Sequence, residues 1–299
     1  DVKRTFSHLT RIVPRNGWVV MNGDDENLAS LGELPWTRVL RVGTGENCNV
    51  RITNFEETAA GVTFRVLWEG VEWGAVTWAM PGIYNARNAA MAAVAGALCG
   101  EDGGQGPEAE GQNTEDRGRR SEGGRTVLGD LPRFSIAPLA RFRGVKRRQE
   151  VLVSKPGITV IEDFGHHPTA LAETLKSFRN RFPGAVITAV FEPRSNTART
   201  NTLQAGFMAA LALADEVYLG AVSRADKLKA DERFDTDAVI AHVVAQGRTG
   251  TSGATNAEVL EKLVAATLPA TEAKPRLVVF FSNGSFDGII AKYAAAARG

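Results

Sequence analysis

The sequence predicts an α/β protein of two domains, in which a small antiparallel sheet is followed by a mostly parallel sheet covered by helices. The first observation is a series of short β-rich runs with Gly and Asn turns between residues 38 and 78. The second is an alternation of continuous apolar strands and amphipathic helices after residue 140, which is typical of a parallel sheet buried on both faces. The length of 299 residues suffices for two ordinary domains, predicted over residues 1–139 and 140–299.

Composition excludes several classes of protein. Apolar residues make up 43% of the chain and charged residues 23%, a normal globular balance. The formal net charge of +1 argues against a general binder of nucleic acids or membrane surfaces. The two cysteines, Cys48 and Cys99, form no CxxC motif or His/Cys cluster, which predicts two buried thiols in a reducing compartment. The start lacks both a Met and a signal-peptide core, so we expect a fragment or a processed form.

The elements of the first domain can be justified in order. Residues 1–12 are expected to form a helix, because apolar side chains recur there at helical spacing. Gly17–Met21 is predicted to be a short buried strand, and alternation over Arg38–Trp78 predicts the antiparallel sheet. A small-residue helix is predicted over Ala86–Leu98, after a Pro-Gly break. Residues 101–125 lack apolar periodicity and are rich in Gly, Glu and Arg, which favours a disordered surface insertion over a functional tail.

The second domain begins with a predicted hairpin, because strand-like Val151–Val153 and Ile158–Ile161 are separated by Lys-Pro-Gly. Strands and helices then alternate along the chain. This order predicts a Rossmann-like sheet, in which ligands bind at the carboxyl ends of the strands. Strands are predicted over 185–191, 217–219 and 277–281, and helices over 171–182, 203–211, 259–268 and 286–297.

The segment 162–168 (EDFGHHP) is the first candidate site. It places two acids and two histidines between a strand and a helix, and Pro168 suits the first turn of that helix. The local alternative is that His167 caps the helix and Glu162 is a solvated acid. Four such residues at one strand end, in a chain with only four histidines, favour a functional site.

Two further polar segments follow predicted strands. In residues 192–197 (EPRSNT), Arg194 offers a planar fork for a carboxylate or phosphate, and Ser195 and Asn196 add donors. A plain turn with a helix cap would use the same residue types. Residues 282–288 (SNGSFDG) form a glycine turn whose backbone N–H groups are expected to hold an anion, although such turns are common at strand ends.

Two more segments are supportive. In residues 82–90 (GIYNARNAA), Asn85 and Asn88 project from one face of a first helical turn. Capping explains Asn85, whereas the Asn88 amide would suit the edge of a base. The basic run 146–150 (KRRQE) is, taken alone, a solvated face.

These five segments, in this order, resemble the Mur ligases, whose motifs are GxxNxxNAA, RRxE, DDFxHHP, EPRSNT and SNGxFxG. Within the family, the HHPTA, EPRSNT and SNG segments most resemble those of murein peptide ligases. The resemblance covers nearly the whole chain outside residues 101–125. Two departures stand out: Tyr84 occupies the place of a usual His, and Glu162 replaces the first Asp of the acidic pair.

The resemblance implies the fold of a partial Mur ligase central domain followed by the family's C-terminal domain. It also implies a cytoplasmic, ATP-dependent amide-bond ligase of peptidoglycan recycling. Such a ligase joins UDP-N-acetylmuramate to L-Ala-γ-D-Glu-meso-diaminopimelate through an acyl phosphate, with Mg²⁺. Carried over by motif, the nucleotide-binding residues are Asn85, Asn88, Arg148 and Asp163, the catalytic residues lining the cleft are His166 and His167, and the tripeptide-binding residues are Arg194, Ser195, Asn196, Asn283, Gly284 and Ser285.

Other interpretations stay open at this point. One is a UDP-N-acetylmuramate–L-alanine ligase, and another is a non-catalytic Mur-like module that binds nucleotide or peptide. The sequence contains no GxxxxGK[ST] phosphate loop, and the family's modified lysine and acidic metal ligands have no match in it. We expect those parts, with the UDP-binding domain, upstream of Asp1, and we predict that this chain alone does not ligate.

Overall fold

A computed structural model describes residues 2–100, 131–133, 135–268 and 270–299 of the chain. The predicted insertion at 101–125 lies outside the described residues. The chain divides into two compact units, Asp1–Phe142 and Arg143–Gly299, and each is described by itself below.

The first unit contains one five-stranded sheet with strand order β1-β2-β3-β4-β5. The predicted helices at its start and after the sheet are confirmed as α1 and α3. The described part of this unit contains the helices α1 (Val2–Thr10), α2 (Glu26–Ala29) and α3 (Ile83–Gly100) and the strands β1 (Trp18–Asn22), β2 (Arg38–Gly43), β3 (Val50–Thr58), β4 (Gly61–Trp68) and β5 (Val71–Trp78).

The prediction of an antiparallel sheet is only partly right. Strands β3, β4 and β5 are antiparallel neighbours, as the alternation and turns indicate. Strands β1, β2 and β3 instead pair in parallel, so the sheet is mixed. A parallel pair needs a crossover between its strands, and the segments 23–37 and 44–49 that provide it have no strong helical period. The parallel direction of β1, β2 and β3 could therefore not be predicted from the local sequence pattern.

The core of the first unit lies between the sheet and α3. Strand β4 buries every second side chain, from Val62 to Trp68, because successive side chains of a strand point to opposite faces. Helix α3 meets this face with small residues, among them the buried Ala86, Ala90 and Val94. Small side chains at helical spacing let the helix backbone approach the sheet closely.

The prediction of two buried thiols is confirmed for Cys48 and wrong for Cys99, which is exposed near the end of α3.

The second unit contains a six-stranded sheet with strand order β10-β9-β8-β11-β7-β6. Only β6 is antiparallel to its neighbour, and the predicted β6–β7 hairpin is confirmed, with Gly157 at φ +82° in its turn. The described part of this unit contains the strands β6 (Glu150–Lys155), β7 (Ile158–Asp163), β8 (Val186–Phe191), β9 (Glu216–Leu219), β10 (Thr249–Ser252) and β11 (Arg276–Phe281) and the helices α4 (Pro168–Arg181), α5 (Gln204–Leu211), α6 (Thr236–Ala245), α7 (Asn256–Thr267) and α8 (Ile289–Arg298).

The sheet of the second unit is covered on both faces, as predicted. One apolar cluster contains Leu171, Leu175 and Phe178 of α4, and a second contains Ile290 and Tyr293 of α8. Strand β10 and helix α6 were not predicted. Strand β10 has the sequence TGTS, which carries no apolar signal. Among the described residues no helix is long and apolar enough to span a membrane.

Candidate functional site

Three predicted segments meet at one edge of the second unit's sheet. Strand β11 lies between β7 and β8 and runs parallel to both. Its last residue, Phe281, is level with Asp163 of β7 and with Phe191 of β8. The segments EDFGHHP, EPRSNT and SNGSFDG therefore leave the sheet side by side. The structure thus brings together candidates from three distant parts of the sequence.

Asp163 is held by backbone groups within this edge. Its side chain is buried, and its two carboxyl oxygens accept hydrogen bonds from the N–H groups of Gly165 at 2.6 Å and Gln149 at 3.1 Å. Burial raises the pKa of Asp163 above its usual value, against the opposing effect of these two hydrogen bonds. Both oxygens thus shape the local backbone, which favours a role in positioning for this predicted nucleotide-binding residue.

The ring of Phe164, the residue after Asp163, lies close to two arginines. The guanidinium carbons of Arg147 and Arg148 lie 5.2 Å and 4.9 Å from the centre of the Phe164 ring, within the range of a cation–π contact. The His166 ring meets the same ring edge-on at 5.5 Å. Phe164 was not among the predicted site residues, although it stands in the middle of the motif.

The two histidines are placed differently. His166 Nδ1 lies 2.9 Å from the carbonyl oxygen of Phe164, and because a carbonyl only accepts, Nδ1 carries the hydrogen of this bond. His167 is the N-cap of α4, where its Nδ1 accepts from the N–H of Thr169 at 3.4 Å. His167 therefore makes the capping contact that the sequence left open as an alternative. Pro168 occupies the first turn of α4, as predicted.

Arg147 makes more contacts at this edge than any predicted residue. Its Nε donates to Glu162 Oε1 at 2.7 Å, so Glu162 is ion-paired. Its Nη2 donates to the carbonyl oxygen of Ser282 at 3.1 Å and to that of Gly284. From the sequence this segment is only a basic run, because the side-chain partners of Arg147 lie 15 to 137 positions away. We note that no local signal could have singled out Arg147 over Arg148.

A buried carboxylate organises the other side of the glycine turn. Glu192 is 2% exposed, and its Oε2 accepts from the hydroxyl of Ser282. Its Oε1 accepts from Arg194 Nη1 at 3.4 Å. The Ser282 hydroxyl also accepts from the N–H of Gly284 at 2.9 Å. Arg194, Glu192 and the turn are thus one connected network.

The glycine turn differs from its prediction in one respect. The N–H of Gly284 donates to the Ser282 hydroxyl, so this one amide of the turn is not open to the anion that the turn is predicted to hold. A Cβ at Gly284 would lie 2.2 Å from Arg194 Nε. The absence of a side chain there lets the Arg194 guanidinium cross the turn.

The remaining predicted residues of this edge have mixed surroundings. Ser195 Oγ accepts from the N–H of Ala198 at 3.0 Å, as in the capped turn that the sequence left open. Asn196 and Ser285 are exposed. Asn283 Oδ1 is buried and has no hydrogen-bond partner within the part of the chain that the structure describes. Such an orphaned acceptor suits a donor group of a ligand.

The first unit carries the other two candidates on α3. Asn88 is exposed, on the first turns of the helix. Asn85 Nδ2 donates to the carbonyl oxygen of Pro81 at 2.6 Å. Asn85 was expected to cap the helix by accepting from backbone N–H groups of its first turn. Its side chain instead donates to a carbonyl oxygen that precedes the helix.

An unpredicted ion pair fixes the same helical turn. Arg87 Nη2 lies 2.7 Å from Asp24 Oδ2, and Asp24 also accepts from the N–H groups of Thr44 and Gly45. Partial burial raises the pKa of Asp24, but the hydrogen bonds from Thr44 and Gly45 and the Arg87 guanidinium outweigh burial and lower the pKa below its usual value. Asp24 thereby ties α3 to the turn after β1 and the loop after β2.

Comparisons with known proteins identify the family of the chain. The profile of the Mur ligase middle domain matches residues 1–96, and the profile of the Mur ligase glutamate ligase domain matches residues 147–284. The chain belongs to the Mur ligase family. The two matched ranges fall in the first and second unit respectively.

Curated relatives of two kinds are similar to the chain. It is 29% identical over 220 residues to the UDP-N-acetylmuramate–L-alanyl-γ-D-glutamyl-meso-2,6-diaminoheptandioate ligase of Escherichia coli K12, covering 73% of the chain and 41% of that protein. It is 30% identical over 222 residues to the UDP-N-acetylmuramate–L-alanine ligase of Acidothermus cellulolyticus, covering 73% of the chain and 40% of that protein. The chain thus spans about two fifths of these relatives.

Solved Mur ligases share the fold. The UDP-N-acetylmuramate–alanine ligase of Thermotoga maritima superposes with a TM-score of 0.66 at 17% identity, over 99% of this chain and 54% of that one. The murein peptide ligase of Psychrobacter arcticus superposes with a TM-score of 0.62 at 22% identity, with the same coverage. The predicted α/β class is therefore confirmed, and both sheets are mixed.

Proposed function

We propose that this chain supplies the base-binding and amine-binding residues of an ATP-dependent amide-bond ligase of the murein peptide ligase type. The observation that carries the proposal is the Arg194 network. Its guanidinium is held by buried Glu192 and crosses Gly284, at the same sheet edge as Phe164 and Arg148. An anchored guanidinium suits the carboxylates of a peptide substrate.

The residues around Phe164 fit a nucleotide. Arg148 is exposed and lies against the ring, so one edge of the second unit offers a cation for phosphate or ribose oxygens beside an aromatic face. Exposed Asn88 in the first unit offers an amide to a base edge. A Mur ligase of Thermotoga maritima has been solved in complex with ADP. ATP, when bound, supplies the phosphoryl group that activates a carboxylate. The substrates we propose are UDP-N-acetylmuramate and L-Ala-γ-D-Glu-meso-diaminopimelate, and the compartment we propose is the cytoplasm.

His166 is the better placed of the two histidines to take a proton. Because its Nδ1–H bonds the Phe164 carbonyl, the neutral ring keeps a basic lone pair on Nε2. That nitrogen would accept a proton from the ammonium group of the peptide and so free the amine lone pair that attacks the acyl phosphate. His167 supports the start of α4 through its Nδ1.

A magnesium ion enters the proposal only through the family. Among the described residues no group of three or more His, Cys, Asp or Glu side chains could hold a metal ion. No step is therefore assigned to a metal held by this chain. The phosphate loop is likewise absent from the 299 residues, so the purified chain is expected to bind substrates without joining them.

The L-alanine ligase is the second candidate, because relatives of that kind are as similar to the chain as the tripeptide ligase. Calorimetric titration of the purified chain with the tripeptide, with L-Ala and with ATP separates the two. We expect tripeptide binding that Arg194→Gln weakens by tenfold or more, about 1.4 kcal/mol, and that Arg194→Lys weakens less. Arg65→Gln, which removes an exposed charge in the first unit, is the matched control.

Three outcomes would count against the proposal. Binding of L-Ala without the tripeptide would favour the L-alanine ligase. Binding of ATP or peptide by a chain whose full-length gene product has no ligase activity would favour a non-catalytic module. ATP-dependent ligation by the 299-residue chain alone would contradict the assignment of the phosphate side to other residues.

A further inference from the structure

The turn Ser282–Gly284 is held from two sides by different arginines. On the β8 side, Arg194 crosses Gly284 and shares Glu192 with the Ser282 hydroxyl. On the β7 side, Arg147 Nη2 donates to the carbonyl oxygens of Ser282 and Gly284. The β7-side contacts involve only the backbone of the turn, so they set its conformation whatever its side chains are.

The same Arg147 also belongs to the surroundings of Phe164. Its guanidinium lies 5.2 Å from the centre of the Phe164 ring. One side chain therefore contacts both the ring and the turn, which are far apart in sequence. Its carbonyl oxygen accepts from the N–H of Phe164 at 2.6 Å. Arg147 thus touches both the segment proposed to meet the nucleotide and the turn proposed to meet the peptide.

The backbone of Arg147 is held in an unusual conformation. Arg147 and Gln149 have φ values of +60° and +54°, in a left-handed region that costs a residue with a side chain about 1–2 kcal/mol. The Arg147 N–H donates to Glu150 Oε2 at 2.8 Å, and the Gln149 N–H donates to Asp163 Oδ2 at 3.1 Å. Two carboxylates therefore stabilise the strained turn that aims the Arg147 side chain.

We propose that Arg147 is a positioning residue that couples the two substrates of the ligase. It holds the Ser282–Gly284 turn in fixed relation to Phe164, so that order imposed on one by its ligand is transmitted to the other. The inference rests on the proposed function, because it takes Phe164 and the turn as parts of the nucleotide and peptide sites. The ion pair with Glu162 is partly buried and joins Arg147 to the end of β7, whereas the carbonyl contacts specify the backbone of the turn.

Arginine suits this task better than lysine does. Its planar fork reaches Glu162 through Nε and the two carbonyls through Nη2. A lysine has a single nitrogen and cannot keep this geometry. Arg147→Lys is therefore an informative variant that preserves charge, and Glu162→Gln is its matched control because it removes the ion pair and leaves the carbonyl contacts.

The test uses the 299-residue chain and two measurements. Amide hydrogen exchange at residues 283–285 is expected to be tenfold or more faster in Arg147→Lys than in the unmodified chain, and nearly unchanged in Glu162→Gln. Titration of tripeptide with and without ATP is expected to show a coupling of about fivefold or more, which Arg147→Lys reduces to near one. Each ligand's affinity on its own is expected to change less than that coupling does.

The outcomes separate the two proposals. Unchanged exchange at residues 283–285 in Arg147→Lys overturns the positioning role, and it is measured without any ligand. Exchange that rises while the coupling stays intact also overturns the inference, because the turn would then be merely structural. If neither ATP nor tripeptide binds the unmodified chain, the proposed function falls with the coupling, and the exchange result alone decides whether Arg147 fixes the turn.

Discussion

Replacing Ser282 with Ala tests the buried network beneath the glycine turn. The Ser282 hydroxyl is fully buried, donates to Glu192 Oε2 and accepts from the Gly284 N–H at 2.9 Å. A hydrogen bond to a charged group contributes about 1.5–3 kcal/mol, and one to a backbone amide about 0.5–1.5 kcal/mol. Ser282→Ala removes one of each, so we expect the free energy of unfolding of the second unit to fall by about 3 kcal/mol.

The assay is urea denaturation of the full chain, followed by far-UV circular dichroism and by tryptophan fluorescence. With an m-value of about 2 kcal/mol per molar urea, the second unit's midpoint should fall by about 1.5 M. The fluorescence transition should stay in place, because every tryptophan lies in the first unit. The residues are Trp18, Trp36, Trp68, Trp73 and Trp78.

Ser285→Ala is the matched control, since Ser285 is exposed and makes no side-chain capping bond. It should change the midpoint by less than about 0.3 M, as surface substitutions usually do. Equal midpoints for Ser282→Ala and Ser285→Ala would refute the reasoning. A shift of the fluorescence transition alone would show that the network does not act on the second unit.

Three other outcomes are expected. Gly284→Ala places a Cβ 2.2 Å from Arg194 Nε and displaces the guanidinium, so calorimetry should show about tenfold weaker tripeptide binding. The pKa of Asp24 is lowered in the folded state, so its contribution to the free energy of unfolding is present above the unfolded pKa near 4 and is lost as pH falls through the lower folded pKa. The urea midpoint detected by fluorescence should therefore fall in that acid range, and it should fall less in Asp24→Asn. Gly157 and Gly184 both have left-handed φ, +82° and +79°, but only a Cβ at Gly157 meets backbone, at 2.7 Å; Gly184→Ala should destabilise by about 1 kcal/mol and Gly157→Ala by about 2–4 kcal/mol in the dichroism assay.

Each of these expectations has a contrary result. Undiminished tripeptide binding by Gly284→Ala would mean that Arg194 does not act from its position over the turn. The same acid dependence in Asp24→Asn and the unmodified chain would assign the effect to other carboxylates. Equal losses at Gly157 and Gly184 would show that the backbone near Gly157 yields to the added methyl group.

The strands that carry the candidate site were predictable, and their order was not. Val186–Phe191 and Arg276–Phe281 are continuous apolar runs, so their ends and the polar segments after them could be read locally. That β11 inserts between β7 and β8 depends on pairing between distant parts of the chain. Sequence periodicity carries no information about such pairing, except through the general rules for parallel sheets.

The individual side chains divide in the same way. The capping contacts of His167 and Ser195 are local, and the sequence analysis named them as alternatives. Arg147 and Glu192 act on Ser282 across 135 and 90 positions, so neither stood out from its own segment. The family motifs pointed to one edge of the sheet, but the contacts that hold this edge together join residues far apart in the sequence and could not be read from it.

The central place of β11 has a consequence for synthesis on the ribosome. Strands β6 to β10 emerge before β11, yet β7 and β8 belong to one sheet only through β11, which lies between them. Until then the nascent chain displays two unpaired apolar strand edges, which are prone to pair with other chains. Interrupted translation before β11 would therefore yield an aggregation-prone product rather than a smaller binding module.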